Sequence, residues 1–169
     1  MKIGVIADTH LRRPNTLLQA VADQYFAHVD LILHAGDLCT PEVLSVFSGK
    51  TVYVVSGNRD NKAVKKTYPE TAVISVSGKR IGLVHGWGSP FSGERRVGRV
   101  FDRVDGVVFG HTHRPFNRHL GGVLYFNPGA FHRSPLVLWR RSIGILFVEK
   151  EGINGRIIRI PGAGVPTTA

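Results

Sequence analysis

The residues of this chain that can do chemistry stand in five short blocks, each directly after an apolar run. Asp8-Thr9-His10 follows residues 3–7, Gly36-Asp37 follows 31–33, and Gly57-Asn58-Arg59-Asp60 follows 52–55. His85-Gly86 follows residues 81–84, and Gly110-His111-Thr112-His113 follows 107–109. Carboxylates and imidazoles without thiolates form a donor set for a divalent cation such as manganese, iron, zinc, cobalt or nickel, rather than for iron–sulfur chemistry. Asp8 and His10 are separated by one residue, as are His111 and His113. In extended backbone such pairs point to the same side, and near a turn the second can swing toward a different ion. Gly36, Gly57, Gly86 and Gly110 beside these residues let the backbone turn sharply and approach an ion closely.

Five blocks act together only if the elements before them bring them to one edge. Residues 3–7, 31–33 and 52–55 read as strands. Between them lie a helix over 16–26, with Leu17, Leu18, Val21, Ala22 and Tyr25 at helical spacing, and a short helix over Pro41–Phe47 with Thr40 as N-cap. That alternation predicts parallel strands with right-handed crossovers. Ligands of open α/β sheets gather beyond the carboxyl ends of such strands. The second half changes character. Residues 72–76 and 80–84 flank Ser77-Gly78-Lys79 as a hairpin. A basic helix over 94–101 follows, then strands over Gly106–Phe109 and 123–126, the latter ending in Asn127-Pro128-Gly129. Ser142–Val148 and 155–160 form a closing antiparallel pair. With no repeat or linker, the expectation is one domain over 1–161 and a flexible tail over 162–169, in the α/β class.

Composition narrows the choice. A chain of 169 residues is too short for an eight-fold β/α barrel, which needs ~250. Lys and Arg number 22 against 12 Asp and Glu, a net charge of +10 that favours anionic partners. Cys39 is the sole cysteine, so no internal disulfide and no zinc module of several thiolates can form. It reads as a small buried residue. No apolar run reaches the ~20 residues of a membrane span. The first residues enter a strand without a leader pattern, so no membrane association and a cytoplasmic location are expected.

Written as a pattern, the blocks are D-x-H, G-D, G-N-x-D, a lone H and G-H-x-H, in that order over residues 8–113. They resemble the calcineurin-like metallophosphoesterases, and within them the small single-domain phosphodiesterases of bacteria and archaea. Each block alone is weak; five in order, each after a hydrophobic strand, are specific. The resemblance implies a two-sheet mixed β-sandwich flanked by helices, in four layers. It also implies two divalent ions, manganese preferred, with iron, zinc, nickel, cobalt or magnesium as alternatives. Asp8, His10 and His113 would hold the first, Asn58, His85 and His111 the second, and Asp37 would bridge both. A hydroxide between the ions would attack phosphorus in line. Asp60 is a candidate to fix imidazole tautomers.

One position departs from the pattern. Many members carry histidine where this chain has Arg59, and arginine is a poor acid but a good phosphate clamp. The expected catalytic residues are therefore Asp37, Asn58 and Arg59, with Arg59 stabilising charge and favouring good leaving groups. Arg12, Arg13, Arg59 and Arg114 are expected around the mouth of the site, and Arg12, Arg59, Arg114 and His132 are the candidate substrate-binding residues. His28, His34 and His119 match no ligand block, and His28 and His34 are assigned to packing.

The expected function is hydrolysis of small anionic phosphate esters, diesters in preference to monoesters. Two other classes compete. The same fold serves as a scaffold subunit of the eukaryotic retromer complex, with a degraded metal site; here all seven ligand positions are filled. A nuclease-like role draws on the basic stretch over 94–103, but the chain shows no aromatic platform for stacking bases. Homo-oligomers are compatible with the sequence. A haloacid-dehalogenase-type site is excluded because His10 stands where its second Asp is required, and no Gly-x-x-x-x-Gly-Lys phosphate loop occurs.

Overall fold

The structure, a computed structural model, describes residues 1–89, 93–132 and 140–161. The tail expected over 162–169 lies outside the described residues. The first five-stranded sheet contains β1 (Lys2–Ile6), β2 (Leu31–His34), β3 (Thr51–Val54), β9 (Ser142–Val148) and β10 (Ile153–Arg159), in the order β10-β9-β1-β2-β3. The second contains β4 (Thr71–Val76), β5 (Lys79–Val84), β6 (Gly106–Phe109), β7 (Phe116–Leu120) and β8 (Val123–Asn127), in the order β4-β5-β6-β8-β7. β1, β2 and β3 are parallel, as the alternation of elements requires, whereas β9 and β10 close the sheet antiparallel. In the second sheet β5, β6 and β8 are parallel between two antiparallel outer strands.

Period-two alternation sorts the side chains into layers. Ile3 and Val5 of β1, with Leu31 and Leu33 of β2, face Ile81, Leu83 and Val108 of the other sheet in the central core. Ile6 and Ile32 point the other way, onto Leu18, Val21 and Phe26 of the helical layer. On the outer side of the second sheet Val84, Val107 and Phe109 pack against Val97. The result is two facing sheets with helical segments on both outer faces, the arrangement implied by the sequence pattern. Among the described residues, no helix is long and apolar enough to cross a membrane.

Several local expectations change. α1 (Thr16–Tyr25) starts at Asn15, whose side chain accepts from Leu18 N at 2.8 Å. Pro41–Phe47 is a 3₁₀ segment with Thr40 at its N-cap, but the Thr40 hydroxyl makes no capping bond and donates instead to the Arg12 carbonyl at 2.7 Å. α2 (Lys62–Thr67) was not legible because it buries only Val64, and it begins on an Asn61 cap. α3 spans Gly93–Val97 rather than 94–101. Gly98 then sits against Tyr125, where a Cβ would lie 3.0 Å from the ring.

Candidate metal centre

All five blocks lie at the carboxyl ends of β1, β2, β3, β5 and β6, at one end of the two facing sheets. Backbone hydrogen bonds extend the β1–β2 pairing past both strands: Asp8 N donates to Gly36 O and His10 N to Asp37 O, each at 3.0 Å. Asp60 grips this loop from β3. Its Oδ2 accepts from Asp37 N at 3.1 Å and Gly57 N at 2.7 Å, and its Oδ1 accepts from Cys39 N at 2.6 Å. Asp60 thus orients backbone, not an imidazole. The sheets are tied by Asp8 Oδ2, which accepts from His111 N at 3.1 Å.

Five of the seven ligand-type residues sit in left-handed rather than extended backbone. Asp8, His10, Asp37, His111 and His113 all have φ between +49° and +64°. Left-handed backbone at non-glycine residues costs of order 1–3 kcal/mol each and clusters at functional sites. Asp8 and His10 share a side of the fold because both are left-handed, which replaces the extended-strand reading.

Seven side chains of the blocks meet here. His113 Nε2 lies 3.2 Å from both His10 Nε2 and Asp8 Oδ1, and His10 Nε2 is 3.8 Å from Asp8 Oδ1 and Asp37 Oδ2. His85 Nε2 lies 3.3 Å from Asp37 Oδ2, 3.2 Å from Asn58 Oδ1 and 4.0 Å from Asp8 Oδ1. His111 Nδ1 is 3.1 Å from the same Asn58 oxygen. Two groups have ligand atoms within 4.8 Å of one another: Asp8, His10 and His113, and Asp8, Asp37 and His85. Asp37 Oδ2 faces a histidine of each group.

These residues fit divalent cations on two observations. Asp8 Oδ1 is fully buried and makes no hydrogen bond, although three imidazole Nε2 atoms surround it. Moreover, the outward nitrogens of two rings are already committed. His85 Nδ1 donates to Ala35 O at 2.8 Å, and His111 Nε2 donates to Gly88 O at 3.0 Å. In the neutral rings the opposite nitrogens are lone pairs, and they converge on the Asn58 oxygen. Lone pairs and carboxylates facing one another need protons or a cation between them.

The metal-free protein supplies protons. Burial disfavours a charged His85, but its hydrogen bond to Asp37 and the charges of Asp8 and Asp37 win, raising its pKa to about 9. The nearby Asp8 carboxylate likewise raises His113 against burial. Burial raises Asp37, yet His85 and the Arg59 N–H hold it below the usual carboxylate range. Burial lowers His10 and His132. A cation must displace the His85 proton, so loading at pH 7 is expected to release at least one proton, with affinity rising up to pH about 9. Calorimetry in buffers of different ionisation heat measures that release; heat independent of the buffer would contradict it.

A cleft of about 830 Å³ opens over the cluster, lined by Arg12, Cys39, Arg59, Asn61 and His132 besides five of the seven ligand-type residues. Among the candidate substrate-binding residues, Arg12, Arg59 and His132 therefore reach it. Arg114 instead lines a recess of about 190 Å³ with Thr112 and Arg118, and Arg13 is not part of the lining. Two positioning residues escaped the sequence reading. Asn127 Nδ2 donates to Gly110 O at 2.8 Å and Thr112 Oγ1 at 3.1 Å, holding the loop that carries His111 and His113. The visible signal was its place at a strand end, as for the ligand blocks. His34, wholly buried beneath the cluster, lies 3.3 Å from Thr9 Oγ1, and burial drives its pKa to about 4.

Comparison with known proteins identifies the family. The chain is 36% identical over 165 residues to a probable metallophosphoesterase of Methanothermobacter thermautotrophicus, covering 94% of this chain and 92% of that protein. It is 26% identical over 164 residues to a phosphodiesterase of Methanocaldococcus jannaschii, covering 89% and 95%. Among solved structures, zinc-complexed Vps29 of Entamoeba histolytica superposes with a TM-score of 0.72 at 26% identity, covering 94% of this chain and 99% of that one. The sequence model of the calcineurin-like phosphoesterase superfamily domain matches residues 1–149, which contain every ligand-type residue of the cluster. With strand-end blocks, sheet order and overall sequence in agreement, the chain belongs to the calcineurin-like phosphoesterase superfamily.

Proposed function

We propose that this protein is a phosphodiesterase that hydrolyses small anionic phosphate esters with two divalent cations. The observation that carries this reading is the buried, hydrogen-bond-free Asp8 Oδ1, ringed by imidazole nitrogens from both sheets beneath an arginine-bordered cleft. Asp8, His10 and His113 would hold one ion and Asn58, His85 and His111 the other, with the Asp37 carboxylate facing both groups. Such a pair neutralises phosphoryl oxygens and lowers the pKa of water to near neutrality. Oxygen and imidazole donors without a thiolate suit manganese, with zinc, iron, cobalt, nickel or magnesium as alternatives. The lone cysteine suits a reducing cytoplasm.

The chain's own residues supply the rest. Ala35 O and Gly88 O fix the tautomers of His85 and His111. Arg59 N donates to Asp37 Oδ1 at 2.7 Å, so the loop that orients Asp37 also carries the Arg59 guanidinium to the cleft. Arginine binds phosphate oxygens in a bidentate fork and does not act as an acid near neutral pH. Arg59 therefore stabilises charge on the ester, and leaving groups must depart with little help from a proton donor. The phosphodiesterase activity named for the Methanocaldococcus relative supports diesters over monoesters.

The test is hydrolysis of bis(p-nitrophenyl) phosphate by chelator-stripped protein reloaded with each metal. Turnover is expected with manganese and none with the stripped protein. Protein that holds two ions yet cleaves no phosphoester would sink the proposal. Across aryl phosphodiesters, Arg59→His is expected to flatten the dependence of rate on leaving-group pKa. An unchanged slope would remove the role given to Arg59.

A further inference from the structure

Beside the cleft lies a second recess of about 340 Å³, and Asn58 forms part of the wall of both. His85 also lines it, so the recess adjoins the second of the two ligand groups. Trp87, Lys65 and Glu70 are also part of its lining. Trp87 is 50% exposed, so half of a large aromatic side chain is left in water.

The loop that presents it is nevertheless pinned. Trp87 O accepts from Arg96 Nε at 2.9 Å, and Ser89 O accepts from Arg96 Nη2. Gly88 O accepts from His111 Nε2 at 3.0 Å, the bond that turns His111 Nδ1 toward Asn58. Gly86 and Gly88, at φ +95° and +76°, bracket Trp87 and allow the chain to reverse around it. The loop thus orients a ligand-type histidine and displays an indole with the same set of contacts. Lys65, whose Nζ donates to Asn58 O at 3.4 Å, and Glu70 add a donor and an acceptor to the same recess.

We propose that this recess is a base-binding subsite: the nucleobase of a nucleotide ester stacks on Trp87 while its phosphate occupies the metal cleft. The proposal rests on the phosphoesterase reading for the phosphate and adds the class of organic group. A flat ring with hydrogen-bonding edges matches an exposed aromatic that shares its recess with a cation and a carboxylate.

AMP and ribose 5-phosphate share phosphate and sugar and differ by the base, so binding of each to the zinc-loaded full chain isolates the subsite. Calorimetry is expected to show AMP binding about tenfold tighter, the scale of one stacked base. Trp87→Leu is expected to erase that preference while leaving ribose 5-phosphate affinity unchanged, which also reports an intact fold. Trp87→Phe, which keeps an aromatic face, retains part of it. In a Trp139→Phe background, AMP is expected to quench the remaining indole fluorescence and ribose 5-phosphate to leave it unaltered. Equal affinities in the unmodified protein, or a preference that survives Trp87→Leu, overturn the proposal. Phenyl phosphate binding as tightly as AMP overturns the nucleobase assignment. Failure to cleave bis(p-nitrophenyl) phosphate would fell the esterase reading and leave these binding ratios standing, whereas absence of binding by both monoesters would overturn the subsite.

Discussion

Asp37→Asn is expected to abolish turnover, by at least about a thousandfold, the upper scale for losing one preorganised charge-stabilising group. Asp37 Oδ1 accepts from Arg59 N, and Oδ2 faces His85 and His10. An asparagine that keeps the Arg59 bond aims its NH₂ at both imidazoles, placing a donor where an electron pair is needed and removing the shared negative charge. The fold should persist, because the Asp60 clamp grips the backbone N–H of residue 37 and not its carboxylate. Metal content by elemental analysis, turnover on an aryl phosphodiester and a thermal melt check the three parts together. A variant with full metal content and near-normal turnover would show that Asp37 does not span the ions.

Gly57→Ala carries the second large effect, and its cause is space rather than backbone conformation. A Cβ at residue 57 would contact Asp37 Oδ1 and lie 2.7 Å from Asp37 N and 2.8 Å from His85 Cδ2. Neither neighbour can yield easily. Asp37 N is held by Asp60, which also grips Gly57 N, and the His85 ring is anchored on Ala35 O. The methyl group therefore forces apart the loops after β2 and β3 and tilts His85. Overpacking of this kind costs about 1–3 kcal/mol. The expected outcome is a lower melting temperature together with lost metal binding. Gly152→Ala, where a Cβ meets nothing within 4 Å, is the neutral control. Normal activity in Gly57→Ala would mean that the loops are less tightly coupled than these distances require.

How far the sequence was legible follows from which physical forces leave a local trace. β1, β2 and β6 bury nearly every residue, so their apolar runs announce them. β7 leaves four of its five residues exposed and owes its place to a backbone ladder with β8, which no side-chain pattern records. The ligand types were visible because polar residues abruptly end buried strands. Their geometry was not, because left-handed backbone at Asp8, His10 and His111 is imposed by bonds to Gly36, Asp37 and Asp8, far away in the chain. Asp60 was recognisable as a carboxylate near the cluster. That it binds peptide N–H groups and not a ring could be read only in three dimensions. Trp87 offered no pattern of its own; its meaning lies in a recess shared with Asn58.

The placing of β1 constrains the order of events during synthesis. Its two sheet neighbours are β2, made soon afterwards, and β9, which starts only at Ser142. Until the ribosome has delivered that late segment, one edge of the nascent Ile3–Ile6 strand has unpaired peptide groups, an invitation to pair with another chain. A message truncated before codon 142 would therefore encode all seven ligand-type side chains yet yield an open-edged, self-associating product.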